Sequence, residues 1–357
     1  MSDLGSVTVA ALLATIGANL EHGPPGALGA RLVRLVDAST LTAANAEGSL
    51  CVMSASEVVG GPPASQPTLL VVPTTTTWVA DYDGAVARVP DARLALAHAS
   101  AHFVRPHLPA VGVDERASVH HNATLGAGVR VAAYAVVGAG AVLGQDCAVG
   151  AGSVIGEGVT LGAGCRLYPN VTIYPGVVFG DRVVVHAGSV IGADGFGYAA
   201  GPAGAVKVHH VGGVRLEDDV EVGANTCIDR GTLQDTVVGA RTKIDNHCQV
   251  GHNVQIGHDT LIAGMAAIAG SVKIGSGVII GGAVGISDHV TIGDGARLAG
   301  RSGVTKSVPA GATWAGFPAR PHREFVRELY LLGKLEEVWR RAKAGARGEE
   351  REGSAEE

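Results

Sequence analysis

Five of the chain's histidines stand in a stretch rich in valine, isoleucine and glycine: His186, His247, His252, His258 and His289. Imidazole ionises closest to neutral pH, so these are the side chains best placed to move protons. The segment IDNHCQVGHNV, from Ile244 to Val254, concentrates polar groups around two of them. His252 lies two residues beyond Val250. If Val250 points into a core, His252 points out of it, as a general base in a cleft must. The plainer reading is a surface histidine.

Such a residue needs a scaffold, and the sequence supplies one as a repeat. From Val113 to Ile191 a large apolar residue recurs at every sixth position without a break, through Leu125, Val137, Val149, Leu161, Ile173 and Val185 among others. The series returns at Leu216, Val222 and Ile228, and again from Val238 through Ile244, Val250, Ile268 and Ile286 to Val304. A period of six fits neither an α-helix nor a hairpin strand. It fits a parallel β-helix whose flat sides take six residues each. Small residues two positions before the apolar one suit a narrow interior. The glycine that usually follows it is expected to turn the corner with positive φ. The units make nearly ten three-sided coils, roughly 45 Å long at ~4.8 Å between strands. Two stretches break the repeat, Gly192 to Val214 and Asp229 to Val237, and each should eject a loop from one edge.

The flanks lack the repeat. Residues 1–105 read as a small α/β domain, with an amphipathic helix over Val7 to Leu20, a strand at Leu69 to Val72 and a turn at Gly60 to Pro63. Residues 106–315 hold the β-helix. Residues 316–357 hold a basic helix from Pro321 to about Ala344 and a polar tail, GARGEEREGSAEE. Phe325, Leu329, Leu332, Leu335 and Val338 share one side of that helix, which also carries Arg323, Arg327, Lys334, Arg340, Arg341 and Lys343. It reads either as a cap with a solvated basic face or as a docking element.

Composition excludes some classes. Gly is frequent (53 residues) and aromatics are scarce (4%), so the core is built from small repeated layers rather than from large rings. A net charge of -6 argues against nucleic acid as a partner. Five cysteines without CxxC spacing read as free thiols in a reducing cytosol. The N-terminal residues show neither a basic leader nor a long apolar run, so a cytoplasmic protein without stable membrane insertion is expected.

Four blocks make the resemblance specific: SVIGADGFGY at 189–198, IDRG at 228–231, IDNHCQVGHNV at 244–254 and AGS at 269–271. In order and spacing they resemble the UDP-3-O-acylglucosamine N-acyltransferases of lipid A (lipopolysaccharide) synthesis. That resemblance implies a mainly β fold with a left-handed parallel β-helix, a homotrimer with clefts between chains, and no cofactor or metal. It implies transfer of a 3-hydroxyacyl chain from acyl carrier protein to the 2-amino group of a UDP-3-O-acylglucosamine. His252 matches the family's general base, and Gly270 its candidate backbone donor to the oxyanion, although Gly270 would also suit a corner. Asp245 or Asn246 would orient His252, or cap a turn. His289 matches a second histidine near the nucleotide or the carrier arm. Phe196 and Tyr198 would wall the acyl or sugar site, and the basic helix would face the acidic carrier protein.

The chain departs from that pattern near its N-terminus. Where the family stacks aromatic rings on uracil, GSLCVMS places Cys51, and the segment that should carry a tyrosine is shortened before Gln66. Trp78 and Tyr82 are the nearest replacements. Other readings therefore stand beside the first: a related acyltransferase with another amino-sugar acceptor, an inactive structural solenoid, or a zinc hydratase of the γ-carbonic anhydrase type. The last would use His210, His247 and His252 as metal ligands.

Overall fold

The computed structural model describes residues 6–104, 108–316, 327, 330–340 and 343. The chain forms two compact units, Met1–His107 and Leu108–Glu357.

The second unit is a parallel β-helix. Its short strands run from Gly112–Val113 to Thr313–Trp314 and stack into three sheets of nine, ten and eleven strands. Strands on neighbouring coils pair eighteen residues apart, as Thr124 does with Val142 and Gln249 with Ala267. The six-residue apolar series faces inward: Val137, Leu161, Ile191, Val250 and Ile286 are all buried. So are the residues two positions earlier, such as Ala135, Val159, Ser189, Cys248 and Val284. Each side of a coil thus contributes one large and one smaller side chain to the core. Where the inner position is polar, the hydroxyl bonds to backbone: Ser189 Oγ donates to Gly223 O at 2.6 Å and accepts from Thr226 N–H at 3.1 Å.

Glycine has a different job from the one its position suggested. Apart from Gly192 (φ 93°), where the chain leaves for the first insertion, the glycine just after the inward residue does not take positive φ. It is needed because the next coil is too close: a Cβ on Gly150 would lie 2.5 Å from the carbonyl carbon of Tyr168. The left-handed corner falls two residues later. There stand Gly158 (φ 65°), but also Tyr134 (63°), Asp146 (58°), Asn253 (62°), His247 (57°) and His289 (57°). Asn, Asp and His tolerate this region better than most side chains.

The first interruption carries an antiparallel hairpin, Tyr198–Gly201 with Gly204–Lys207. It leaves the ten-strand sheet through a register shift between Ile191 and Ala193, the kind of irregularity that re-aims a strand. Strand partners across it are thirty-seven residues apart, Val190 with Cys227. Across the second they are twenty-two apart, Cys227 with Gln249.

The first unit holds a five-stranded sheet with short helices. Its first helix is shorter than the apolar pattern suggested: it spans Val9–Ile16. Val7–Thr8 pairs as a strand with Arg31–Leu32. Thr8 caps the helix, and Gly17 ends it in the left-handed conformation, so Leu20 starts a new strand. Leu69–Pro73 is a fully buried strand.

Residues 330–340 are helical, with Leu332, Leu335 and Val338 exposed. Lys334 and Arg340 pair with Glu337 and Glu336. Phe317, Pro318, Pro321, Arg323, Phe325, Leu329, Arg341 and the polar tail lie outside the described residues.

The two glycine positions predict opposite responses. Gly150→Ala is expected to lower stability by about 1–3 kcal/mol in urea unfolding, because its Cβ meets backbone. Gly158→Asn, with nothing within 4 Å of the new Cβ, should cost under about 1 kcal/mol. Equal losses would mean that coil spacing does not select glycine.

Candidate active site

A β-helix has no interior pocket, so a site must be built on an edge. The edge that follows the ten-strand sheet collects nearly every unusual feature of the chain. Ile191, Ile228, Val250, Ile268 and Ile286 are successive rungs of that sheet. Just after them come, in order, the hairpin insertion, the second loop, His252, Gly270 and the pair Asp288-His289. Together they line a cleft of about 700 Å³ with Asp194, Phe196, Tyr198, Lys207, Asp229 and Gln249.

His252 is half-buried at the centre. Its Nδ1 lies 3.0 Å from Asn253 Oδ1. The Asn253 amide is fixed by two other bonds: Oδ1 accepts from Thr232 N–H at 3.0 Å, and Nδ2 donates to Gln234 O at 3.1 Å. The His252 neighbour is therefore an acceptor, so Nδ1 carries the proton and Nε2 keeps its lone pair. Gly270 faces that nitrogen: a Cβ there would lie 2.6 Å from Cε1 and 2.7 Å from Nε2. At some equivalent corners the backbone N–H is taken by a side-chain oxygen, as Ala224 N–H donates to Asn246 Oδ1 and Ser276 N–H to Asp294 Oδ1, while at others, such as His258 and Gly282, it is not. Among the described residues nothing accepts the Gly270 N–H.

His210 packs against His252. It is 6% exposed, and its ring meets that of His252 edge-on with centroids 5.2 Å apart. Burial lowers its pKa, and the neighbouring His252 adds to the effect. Gly195 is pressed between the two: a Cβ there would lie 2.7 Å from His252 Cβ and 3.0 Å from His210 Nε2.

Other cleft groups are arranged in pairs. Asp194 and Lys207 form an ion pair at 2.5 Å, which lowers the carboxyl pKa and raises the ammonium. Phe196 and Tyr198 stand at the rim with ring centroids 5.1 Å apart, Phe196 being 87% exposed. His289 is an exposed corner residue whose N–H donates to Gly270 O at 3.2 Å.

Asp245 and Asn246 lie elsewhere. They follow Ile244 in the eleven-strand sheet, at the opposite end of the strand that leads to His252. Asp245 accepts from Gly264 N–H at 2.9 Å and Asn246 from Ala224 N–H at 2.6 Å, so in this chain both cap turns. The residue that holds the His252 ring is Asn253. His247 shares the Asp245 corner and is not beside His252; His210 is. In the first unit, Cys51 is fully buried and its thiol is pushed up to about 11 by burial. Tyr82 is also core (6% exposed), so it offers no open face for a base. Trp78 is half-buried, and its indole N–H donates to Val58 O at 2.8 Å.

The structure is thus a three-sided β-helix with six residues to a side and a histidine cleft on one edge. Residues 140–174 and 158–193 match the family described as Bacterial transferase hexapeptide (six repeats). About two fifths of the chain is similar in sequence to UDP-3-O-acylglucosamine N-acyltransferases. It is 57% identical to the one from Azorhizobium caulinodans over 157 residues, 44% of each chain. The Rhizobium meliloti protein of that name is 52% identical over the same length and shares. For that of Methylobacterium sp. the identity is 43% over 142 residues, 40% of each chain. The matches span about two fifths of the length of these relatives. Among solved structures, a UDP-N-acetylglucosamine O-acyltransferase from Moraxella catarrhalis gives a TM-score of 0.45 at 23% identity. That match covers 64% of this chain and 83% of that one. Among the described residues no helix is long and apolar enough to cross a membrane.

The closeness of Gly270 to the imidazole is testable without a substrate. Gly270→Ala is expected to displace the His252 ring, moving its carbon-bound proton resonances while the far-ultraviolet circular dichroism of the β-helix stays unchanged. Unmoved resonances would show that the ring has room to spare.

Proposed function

We propose that the chain transfers a 3-hydroxyacyl group from acyl carrier protein to the 2-amino group of a UDP-3-O-acylglucosamine, in lipid A synthesis. The observation that carries this reading is the pairing of the His252 Nε2 lone pair with the free Gly270 N–H on one edge of the β-helix. The names of the relatives supply the acceptor class.

The chemistry is elementary. The sugar nitrogen attacks the thioester carbonyl as Nε2 of His252 takes a proton from it. The carbonyl oxygen becomes an oxyanion, and the Gly270 N–H is a preorganised donor for it. The carbon–sulfur bond then breaks, the amide remains, and the proton returns to the thiolate from His252. Asn253 keeps the imidazole in the required tautomer throughout. His289, Phe196 and Tyr198 line the approach and would bind acyl chain or nucleotide sugar. No cofactor enters any step.

A flat-sided solenoid gains a closed cleft when copies pack side by side, so we place the active form in a homotrimer. In the basic C-terminal helix, Arg327, Lys334, Arg340 and Lys343 are suited to an acidic carrier protein, where charge complementarity speeds encounter.

A second reading is favoured by one observation. With Cys51 and Tyr82 in the core, the first unit lacks two of the faces that could stack on uracil. A related acceptor sugar would then be the substrate.

The test is a transfer assay with purified protein, 3-hydroxyacyl carrier protein and UDP-3-O-acylglucosamine, read by product mass. An N-acylated product is expected, with His252→Ala reducing turnover at least ~100-fold in a folded trimer. Near-native turnover in that variant would remove His252 from the base role. No product from the unaltered chain would favour the second reading.

A further inference from the structure

The cleft holds a carboxylate that none of these steps uses. Asp229 sits where the second loop leaves the ten-strand sheet, and its backbone is the register partner of Ala193 at the mouth of the hairpin insertion. Its Oδ2 accepts from the Gln249 amide at 2.8 Å. The basic groups nearby are already engaged. Arg230 donates to Gly192 O at 2.7 Å and Pro175 O at 2.8 Å, and Lys207 is paired with Asp194. Among the described residues no Lys or Arg forms an ion pair with Asp229.

We infer that Asp229 is the binding group for the acceptor's cationic nitrogen, holding the ammonium against the cleft wall beside His252. This deepens the acyl-transfer reading and rests on it. A carboxylate withdrawn from water with only a neutral amide as partner is half of an ion pair. Burial pushes its pKa up, against the opposing effects of Gln249 and His252. A docking cation would reverse that penalty, since an opposite charge favours the ionised form. Gln249 fixes one oxygen and leaves the other for the ligand. The geometry also suits the order of events. The ammonium held at Asp229 gives up one proton to solvent at the open cleft before it attacks, which leaves the His252 imidazole to take the second as the carbon–nitrogen bond forms. Asp229 selects an amino sugar over the corresponding hydroxyl sugar, which has no charge to offer.

The experiment compares binding of two ligands to the full chain by calorimetry: UDP-3-O-acylglucosamine and its analogue with a hydroxyl at carbon 2. The unaltered protein is expected to prefer the amine by ~10-fold or more, and Asp229→Asn to lose that preference. In steady-state transfer, Asp229→Asn should raise KM for the acceptor at least ~10-fold while KM for the acyl donor stays within about 2-fold. Asp229→Glu, which keeps the charge, should recover part of the preference. Equal binding of the two ligands by the unaltered protein overturns the inference, and so does an intact preference in Asp229→Asn. Amine preference without any transfer would count against the acyl-transfer reading and leave the role of Asp229 standing.

Discussion

Each coil of the β-helix lies on the next at hydrogen-bonding distance, and that spacing governs the rest. Gly144 N–H reaches Leu161 O at 2.9 Å, and eighteen residues further on Gly162 N–H reaches Phe179 O at 3.0 Å. At such a separation a side chain at Gly150 or Gly257 would run into the backbone above it, although Tyr168, Tyr174 and His186 are accommodated just after the inward residue elsewhere. Glycine is selected there by contact, while two residues later the chain turns through left-handed φ with whatever side chain the edge requires. The corners are therefore the places where the solenoid can vary. A core that repeats without exception frees its edges to differ.

One edge uses that freedom. Loops and catalytic candidates occur after the same sheet because they recur in phase with the coil. His252, Gly270 and Asp288 are eighteen residues apart, so each stands directly above the last. The two insertions lie lower on the same edge and fold against this column, bringing His210, Asp194 and Lys207 to it. The site is thus made from one rigid ladder, with inserted loops as a second wall. The ladder sets the distance between imidazole and backbone donor, and the loops set polarity and access.

Much of this was legible in the sequence. The six-residue series locates the sheets, and its breaks locate the loops, because only one register buries that apolar series. The His252 block and Gly270 follow from motif and come together as expected. Asp245 and Asn246 do not, since nearness in sequence misleads in a coil: seven residues cross from one edge to the next. Counting in eighteens from His252 would have passed over them. Asp229 and His210 had no such signature. Asp229 closes a strand just before a loop of irregular length, and His210 lies inside an insertion, where no repeat fixes its position. The apolar run from Val7 to Leu20 suggests a longer helix than the one that forms over Val9–Ile16. The Thr8 cap and Gly17, not hydrophobicity, set its ends.

The eighteen-residue register also bears on how such a chain finds its fold. Most all-β architectures must bring together strands that are distant in sequence, and they fold slowly for that reason. Here every strand pairs with one a single coil away, so assembly can begin anywhere and spread to both sides. The first insertion doubles the separation to thirty-seven residues between Val190 and Cys227. Loop-closure entropy rises only with the logarithm of length, so the doubling costs about 0.6 kcal/mol. A wall of the candidate active site has thus been added to the scaffold at a thermodynamic expense smaller than that of one ordinary hydrogen bond.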